Sequence, residues 1–231
     1  MTSDTLKVNS VVIEDSFRGY PTEYFCTSPR YDGCLDYVLI PNGMIKDRLE
    51  KMSMDIVDYY EARNANSITL MCVLKGGFRF LADLVETLER TVRARGIVLP
   101  TSVEFVRVKS YVNDVSAHEP LLTGLGDSSE YKDKNVLVVE DIIDTGRTIT
   151  KLIDHLANLS TKSVKVASLL VKRTWPRSKY RPDFVGFEVP NRFVVGYALD
   201  YNENFRDLHH ICVINETGQK RFSVPCTSKP V

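Results

Sequence analysis

The chain lacks any apolar run approaching the roughly 20 residues that a membrane-spanning helix requires. Its start, "MTSDTLKVNS", has no basic residue followed by an apolar stretch, so no secretory leader is expected. Cysteine is sparse. The five, Cys26, Cys34, Cys72, Cys212 and Cys226, are odd in number and show no CxxC or Cys/His spacing. That argues against a disulfide framework or a zinc site and fits reduced thiols. No flanking residues support a catalytic cysteine. There is also no excess of charge: Lys plus Arg equals Asp plus Glu at 30 each. A bulk basic field for nucleic acid is therefore not expected, although a local basic pocket for a phosphorylated small molecule is compatible with neutrality. Repeats, low-complexity tracts and interdomain linkers are missing too. A cytoplasmic globular protein is expected, with neither nucleic acid nor membrane among its partners.

What is present is ordinary globular material: 231 residues, 43% apolar and 26% charged, enough to bury a sizeable core. The first forty residues read as irregular or as a short strand. "PNGMIKDRLEKMSMDIVDYYEARN" is predicted helical, because Met44, Leu49, Met52, Ile56 and Tyr59 or Tyr60 recur at helical spacing. "SITLMCVLKGG", "KNVLVVED" and "SVKVASLLVKR" are continuous apolar runs, as strands covered on both faces by helices are. "FRFLADLVETLERTVRARG" and "TGRTITKLIDHLANL" are predicted helices, the first stopping at Gly96. "TSVEFVRVKSY" alternates like a half-buried strand. From Val112 to about Tyr131 the chain is polar and aperiodic, as a functional lid or disordered insert is. "FVGFEV", "FVVGYALDY" and "ICVINE" read as closing strands, and "RFSVPCTSKPV" as a mobile tail. Alternating strands and helices with buried strands in the middle predict an α/β fold, a mostly parallel central sheet flanked by helices. Ligands of such sheets bind beyond the carboxyl ends of the strands.

At one strand end stands "VLVVEDIIDTGRT". Glu140 and Asp141 are adjacent, and Asp144, Thr145, Gly146, Arg147 and Thr148 follow at the turn into a helix. Unpaired amides and the helix dipole favour an anion there, Gly146 permits close backbone approach, and the threonine hydroxyls add donors. The Walker spacing is absent, so a nucleoside triphosphatase loop is excluded. The two carboxylates can accept hydrogen bonds from a ribose diol or hold a magnesium ion. The plain alternative is an acidic strand end with Asp144 as helix N-cap.

"VVEDIIDTGRT" resembles the phosphoribosyl pyrophosphate motif of type I phosphoribosyltransferases. "VLKGGFRFLADL", "VKSY", "VASLLVKR", "PDFVGFEVP", "FVVGYALDYNENFRDL" and "CVINETG" narrow the resemblance to the hypoxanthine-guanine branch, from about residue 36 to residue 218. The resemblance implies the type I fold with a small hood lobe. Residues 1–231 then form a single domain, with a core near 41–175 and a hood built from the N-terminal segment and residues after about 176. It implies transfer of phosphoribosyl from phosphoribosyl pyrophosphate to a 6-oxo purine, with Mg2+, in a homo-oligomer (dimer or tetramer). Asp144 would be the acid or base at the purine N7, with Glu140, Asp141 and Asp144–Thr148 around the phosphoribosyl group. Lys75 and Gly76, after an unusual cis peptide, would bind pyrophosphate together with Ser110, Tyr111 and Arg206. Lys172 would meet O6, Phe193 would stack on the base, Val194 would offer backbone hydrogen bonds, and Asp200 would lie near the exocyclic group and the second metal. Glu140, Asp141 and Asp200 would be the metal ligands.

Without the resemblance, Lys172 reads as a solvated strand end and Phe193 as core packing. Departures from the family pattern are Trp175, inserted between Thr174 and Pro176, and Arg147, where lysine is common. Two competing functions stay open: the same fold serving another base (xanthine, orotate or uracil), or a nucleic-acid-binding regulator of this fold.

Overall fold

In the computed structural model, residues 9–109, 121–125, 128–174 and 180–224 are described. In chain order the first elements are β1 (Val11–Val12), β2 (Leu35–Ile40), α1 (Asn42–Glu61), β3 (Ile68–Leu74), α2 (Phe78–Arg95), β4 (Thr101–Lys109) and β5 (Leu121–Thr123). They are followed by β6 (Asn135–Ile143), α3 (Arg147–Ala157), β7 (Ser163–Lys172), β8 (Phe184–Val189), β9 (Val194–Val195), β10 (Ile211–Ile214) and α4 (Glu216–Arg221). The chain groups into two compact units, one of residues 1–15 and 46–191, the other of residues 16–45 and 192–231.

The first unit is built on a seven-stranded sheet of order β1-β8-β7-β6-β3-β4-β5, parallel throughout except for the antiparallel edge strand β5. This is the expected α/β architecture. The continuous apolar runs are explained by cover on both faces. On one side Ile149, Leu152 and Leu156 of α3 pack with Met71, Val136, Val138 and Val166. Leu70, Cys72, Leu137 and Val139, the alternate positions of β3 and β6, are fully buried as well, and α2 packs against those two strands. Replacing Leu152 with Ala would cost about 2–5 kcal/mol, since a close-packed core relaxes only partly around a cavity. α2 ends as predicted at Gly96, whose φ of 66° closes the helix in the left-handed region.

The second unit carries a three-stranded antiparallel sheet, β2-β10-β9. Its core joins Tyr31, Cys34, Val38, Val195, Phe205, Leu208, Cys212 and Ile214. Among the described residues no helix is long and apolar enough to cross a membrane.

Several local expectations are corrected. β6 runs on through Ile143 because Ile142 and Ile143 stay in register with Leu170 and Val171 of β7; Glu140 and Asp141 thus lie within the strand, not at its end. In β4, Val106 is buried but the alternating Val103 and Phe105 are 39% and 48% exposed. Residues 121–123, inside the stretch expected to be structureless, pair with Arg107–Lys109. "FVVGYALDY" is a strand only at Val194–Val195, since Tyr197 and Ala198 take positive φ values of 52° and 77°. In the expected tail, Arg221 ends α4 and Phe222 packs edge-on against Tyr31 and Phe205.

Candidate active site

β3, β6 and β7 are parallel, so the residues following Leu74, Ile143 and Lys172 emerge at one end of the sheet. After β6 the chain turns into α3 through Gly146, which is the N-cap at φ 77°. Asp144 is therefore not the cap, and no side chain caps the helix. The first turn, whose amides have no intrahelical partner, borders a pocket of about 130 Å³ lined by Glu140, Asp144, Thr145, Gly146, Arg147 and Thr148, among others. The expected anion seat thus has a cavity, and all five residues from Asp144 to Thr148 line it.

The adjacent carboxylates differ. Glu140 is 7% exposed, and Asp141 is half-buried. Glu140 accepts from the Asp141 amide at 3.1 Å, and Asp141 Oδ1 accepts from the Ile142 amide at 2.8 Å. Burial, and then the charge of Asp141, push the Glu140 carboxyl well above the usual range. Two adjacent hard oxygen donors, one buried and one half-buried, could hold magnesium, which takes one or two carboxylates and completes its shell with water and substrate phosphate. No cluster of three or more potential ligands occurs among the described residues.

The loop after β3 lies against this pair. The Leu74–Lys75 peptide is cis, as the family resemblance implied. A Cβ on Gly76 would fall 1.5 Å from Asp141 Oδ2, and one on Gly77 would fall 2.7 Å from the Val73 carbonyl oxygen. Only a chain without side chains passes there. Beneath it, burial and the two carboxylates push the Cys72 thiol up to about 12, so it is no nucleophile at neutral pH.

At the end of β7, Lys172 Nζ stands 3.5 Å from Asp144 Oδ2; the Lys172 side chain is 13% exposed and that of Asp144 50%. Lys172 is thus not a solvated strand end. Thr174, which sequence reasoning missed, donates from Oγ1 to the Asp144 carbonyl at 3.1 Å. No local pattern signals that bond, because 30 residues separate its partners.

In the second unit, Phe193 is 45% exposed and meets Tyr201 edge-on, with ring centroids 5.2 Å apart. Its exposure sets it apart from core packing. Val194 is buried and pairs with Val213 of β10. Asp200 Oδ1 is 2.8 Å from Arg206 Nη2, and Asp200 Oδ2 accepts from the Glu203 amide at 2.8 Å. Arg206 also donates to the Ala198 carbonyl, while its Nε is buried with no hydrogen-bond partner among the described residues. A buried guanidinium donor left unpaired is costly, and a phosphate oxygen would satisfy it. The first unit thus brings Gly76 to Asp141 and Lys172 to Asp144, and the second brings Asp200 to Arg206. Ser110 and Tyr111 lie outside the described residues.

A family model described as the phosphoribosyl transferase domain matches residues 41–202. The chain is 87% identical over 231 residues to hypoxanthine-guanine phosphoribosyltransferase of Schistosoma mansoni, covering 100% of this chain and 81% of that one. It is 50% identical over 216 residues to phosphoribosyltransferase domain-containing protein 1 of Xenopus tropicalis, covering 94% and 95% of the two chains. The crystal structure of the Schistosoma mansoni enzyme in complex with IMP superposes with a TM-score of 0.84 at 82% identity, covering 94% of this chain and 100% of that chain. A matched family model over most of the chain, and relatives alike over 81% or more of their length, place this chain in the phosphoribosyltransferase family.

Proposed function

We infer that the chain is a purine salvage enzyme. It transfers the 5-phosphoribosyl group of phosphoribosyl pyrophosphate to N9 of hypoxanthine or guanine, giving IMP or GMP and pyrophosphate. The observation that carries this reading is the pairing of Lys172 with Asp144 beside the anion pocket, in a chain 87% identical to a hypoxanthine-guanine phosphoribosyltransferase.

In this reading the 5-phosphate is held by the first-turn amides of α3, by the hydroxyls of Thr145 and Thr148, and by the charge of Arg147. Glu140 and Asp141 accept hydrogen bonds from the ribose hydroxyls, which fixes the sugar for attack at C1. Lys172 donates to the purine O6. Asp144, half exposed before the base arrives, takes the N7 proton and so makes N9 the better nucleophile. Phe193 stacks on the base, Val194 offers it backbone hydrogen bonds, and Asp200 lies near its exocyclic group. Lys75 and Gly76, through their backbone, and Arg206, through its guanidinium, receive the pyrophosphate. Magnesium, held by Glu140 and Asp141 at one site and near Asp200 at the other, would supply counter-charge to the leaving group. The same reading makes the chain one catalytic domain with a hood, cytoplasmic, and a homo-oligomer (dimer or tetramer).

The test is an assay of the purified protein with phosphoribosyl pyrophosphate, magnesium and a panel of bases. IMP and GMP should form, with adenine turned over very poorly. Product from xanthine, orotate or uracil alone would move the enzyme to another branch of the fold. No product from any base would favour a regulator.

A further inference from the structure

Arg206 sits in a stretch of unusual backbone conformation. Asn202, Glu203 and Phe205 all take positive φ, at 49°, 64° and 73°, a region that side-chain-bearing residues seldom occupy unless their surroundings impose it. At Phe205 the neighbour is a residue far away in sequence, which also reaches Asp207. Tyr31, at the end of a short 3-10 helix (Pro29–Tyr31), is 2% exposed and stacks on the Phe205 ring with centroids 4.3 Å apart. Its hydroxyl accepts from the Phe205 amide at 3.0 Å and donates to Asp207 Oδ1. One oxygen therefore ties down both neighbours of Arg206. The preceding corner is fixed separately, by Arg30 on Asn204 Oδ1 at 2.6 Å and by Asn202 on the Phe222 carbonyl at 2.8 Å.

We propose that Tyr31 is a positioning residue for pyrophosphate: by bridging Phe205 and Asp207 it sets the direction of the Arg206 guanidinium and, through it, of Asp200. The proposal rests on the assignment of pyrophosphate to Arg206 made above. Tyr31 itself touches neither substrate nor the reacting atoms. Its ring supplies packing and its hydroxyl supplies aim, so the two contributions separate in a Tyr31→Phe variant. That variant keeps the stack on Phe205 and leaves the buried Phe205 amide without its acceptor.

Steady-state kinetics of the full chain test this, with phosphoribosyl pyrophosphate and hypoxanthine varied in turn and pyrophosphate inhibition measured. In Tyr31→Phe, the KM for phosphoribosyl pyrophosphate should rise on the order of tenfold, the effect of one lost buried hydrogen bond. Pyrophosphate inhibition should weaken in parallel, and the KM for hypoxanthine should stay native. A merely structural role would instead lower the active fraction, reducing apparent kcat with both KM values unchanged, and that result overturns the proposal. Asp207→Ala, at an exposed position, is the second variant; it should shift the same KM in the same direction by a smaller factor. Arg206→Ala separates the two levels of inference. If it raises the KM for phosphoribosyl pyrophosphate while Tyr31→Phe and Asp207→Ala do not, the Tyr31 proposal fails and the Arg206 assignment stands. If Arg206→Ala leaves that KM native, both fail. In the double variant Tyr31→Phe/Arg206→Ala, the KM should equal that of Arg206→Ala alone, because Tyr31 then has nothing left to aim.

Discussion

The closest packing in the site, Gly76 against Asp141, gives the sharpest consequence for a single methyl group. In Gly76→Ala the new Cβ would overlap Asp141 Oδ2 at 1.5 Å and Cγ at 2.5 Å. Gly76 is not among the residues of positive φ, so the backbone itself accepts alanine. The stiffer unfolded chain would even favour folding by about 0.4–1 kcal/mol. Against this stands the overlap, which forces the carboxylate to rotate and give up its bond from the Ile142 amide at 2.8 Å. Overpacking costs about 1–3 kcal/mol, and the lost hydrogen bond about 1 kcal/mol more. The net loss is therefore about 1–3.5 kcal/mol, or a Tm lower by roughly 2–14 °C for a chain of this length. The effect on rate should be larger than the effect on stability. A group moved by about 1 Å can cost 10²-fold in catalysis, and Asp141 is assigned to the ribose and the metal. The assay is kcat/KM for IMP formation beside a thermal melt, repeated in an Asp141→Ala background where the overlapping atoms are gone. There the second substitution should cost almost nothing. Native kcat/KM and native Tm in Gly76→Ala alone would refute the reasoning, and a full penalty in the Asp141→Ala background would show that the clash lies elsewhere.

Asp144→Asn keeps the shape of the side chain but cannot accept the N7 proton; turnover should fall roughly 10²–10⁴-fold with phosphoribosyl pyrophosphate affinity within a few-fold of native, and single-turnover kinetics check this. Glu140 has a folded-state proton affinity raised above its unfolded value of 4.5 by burial and by Asp141. Its contribution to stability is complete below that value and is lost as pH rises through the folded one. Glu140→Gln should therefore raise the Tm of the metal-free protein at neutral pH and flatten its decline above pH 4.5, while lowering activity; a Tm below native would contradict it. Excess chelator should abolish synthesis, and full activity in chelator would remove magnesium from the reading. Lys172→Gln replaces three donors by an amide that can donate or accept, so it should narrow the hypoxanthine-to-adenine ratio of kcat/KM, mainly by impairing hypoxanthine; an unchanged ratio would assign base recognition elsewhere.

The sequence by itself determined the sheet and its helices. Ile68–Leu74, Asn135–Ile143 and Ser163–Lys172 are apolar on both faces, and only a strand between two helical layers buries every such residue. It also determined the turn from β6 into α3, because a helix start after a strand presents its unpaired amides whatever surrounds it. Where local signals were weak the tertiary structure decided. "FVVGYALDY" has the apolar letters of a strand, but positive φ values at Tyr197 and Ala198 end it after Val195, and Tyr31 ties the following loop at Phe205, beside Arg206. β6 continues past Glu140 only because β7 is there to pair with it. The partnerships of Lys172 with Asp144, Thr174 with the Asp144 carbonyl and Gly76 with Asp141 join residues distant in sequence. No periodicity or propensity encodes them, because each arises where parallel strands end side by side, and strand order is a property of the folded sheet.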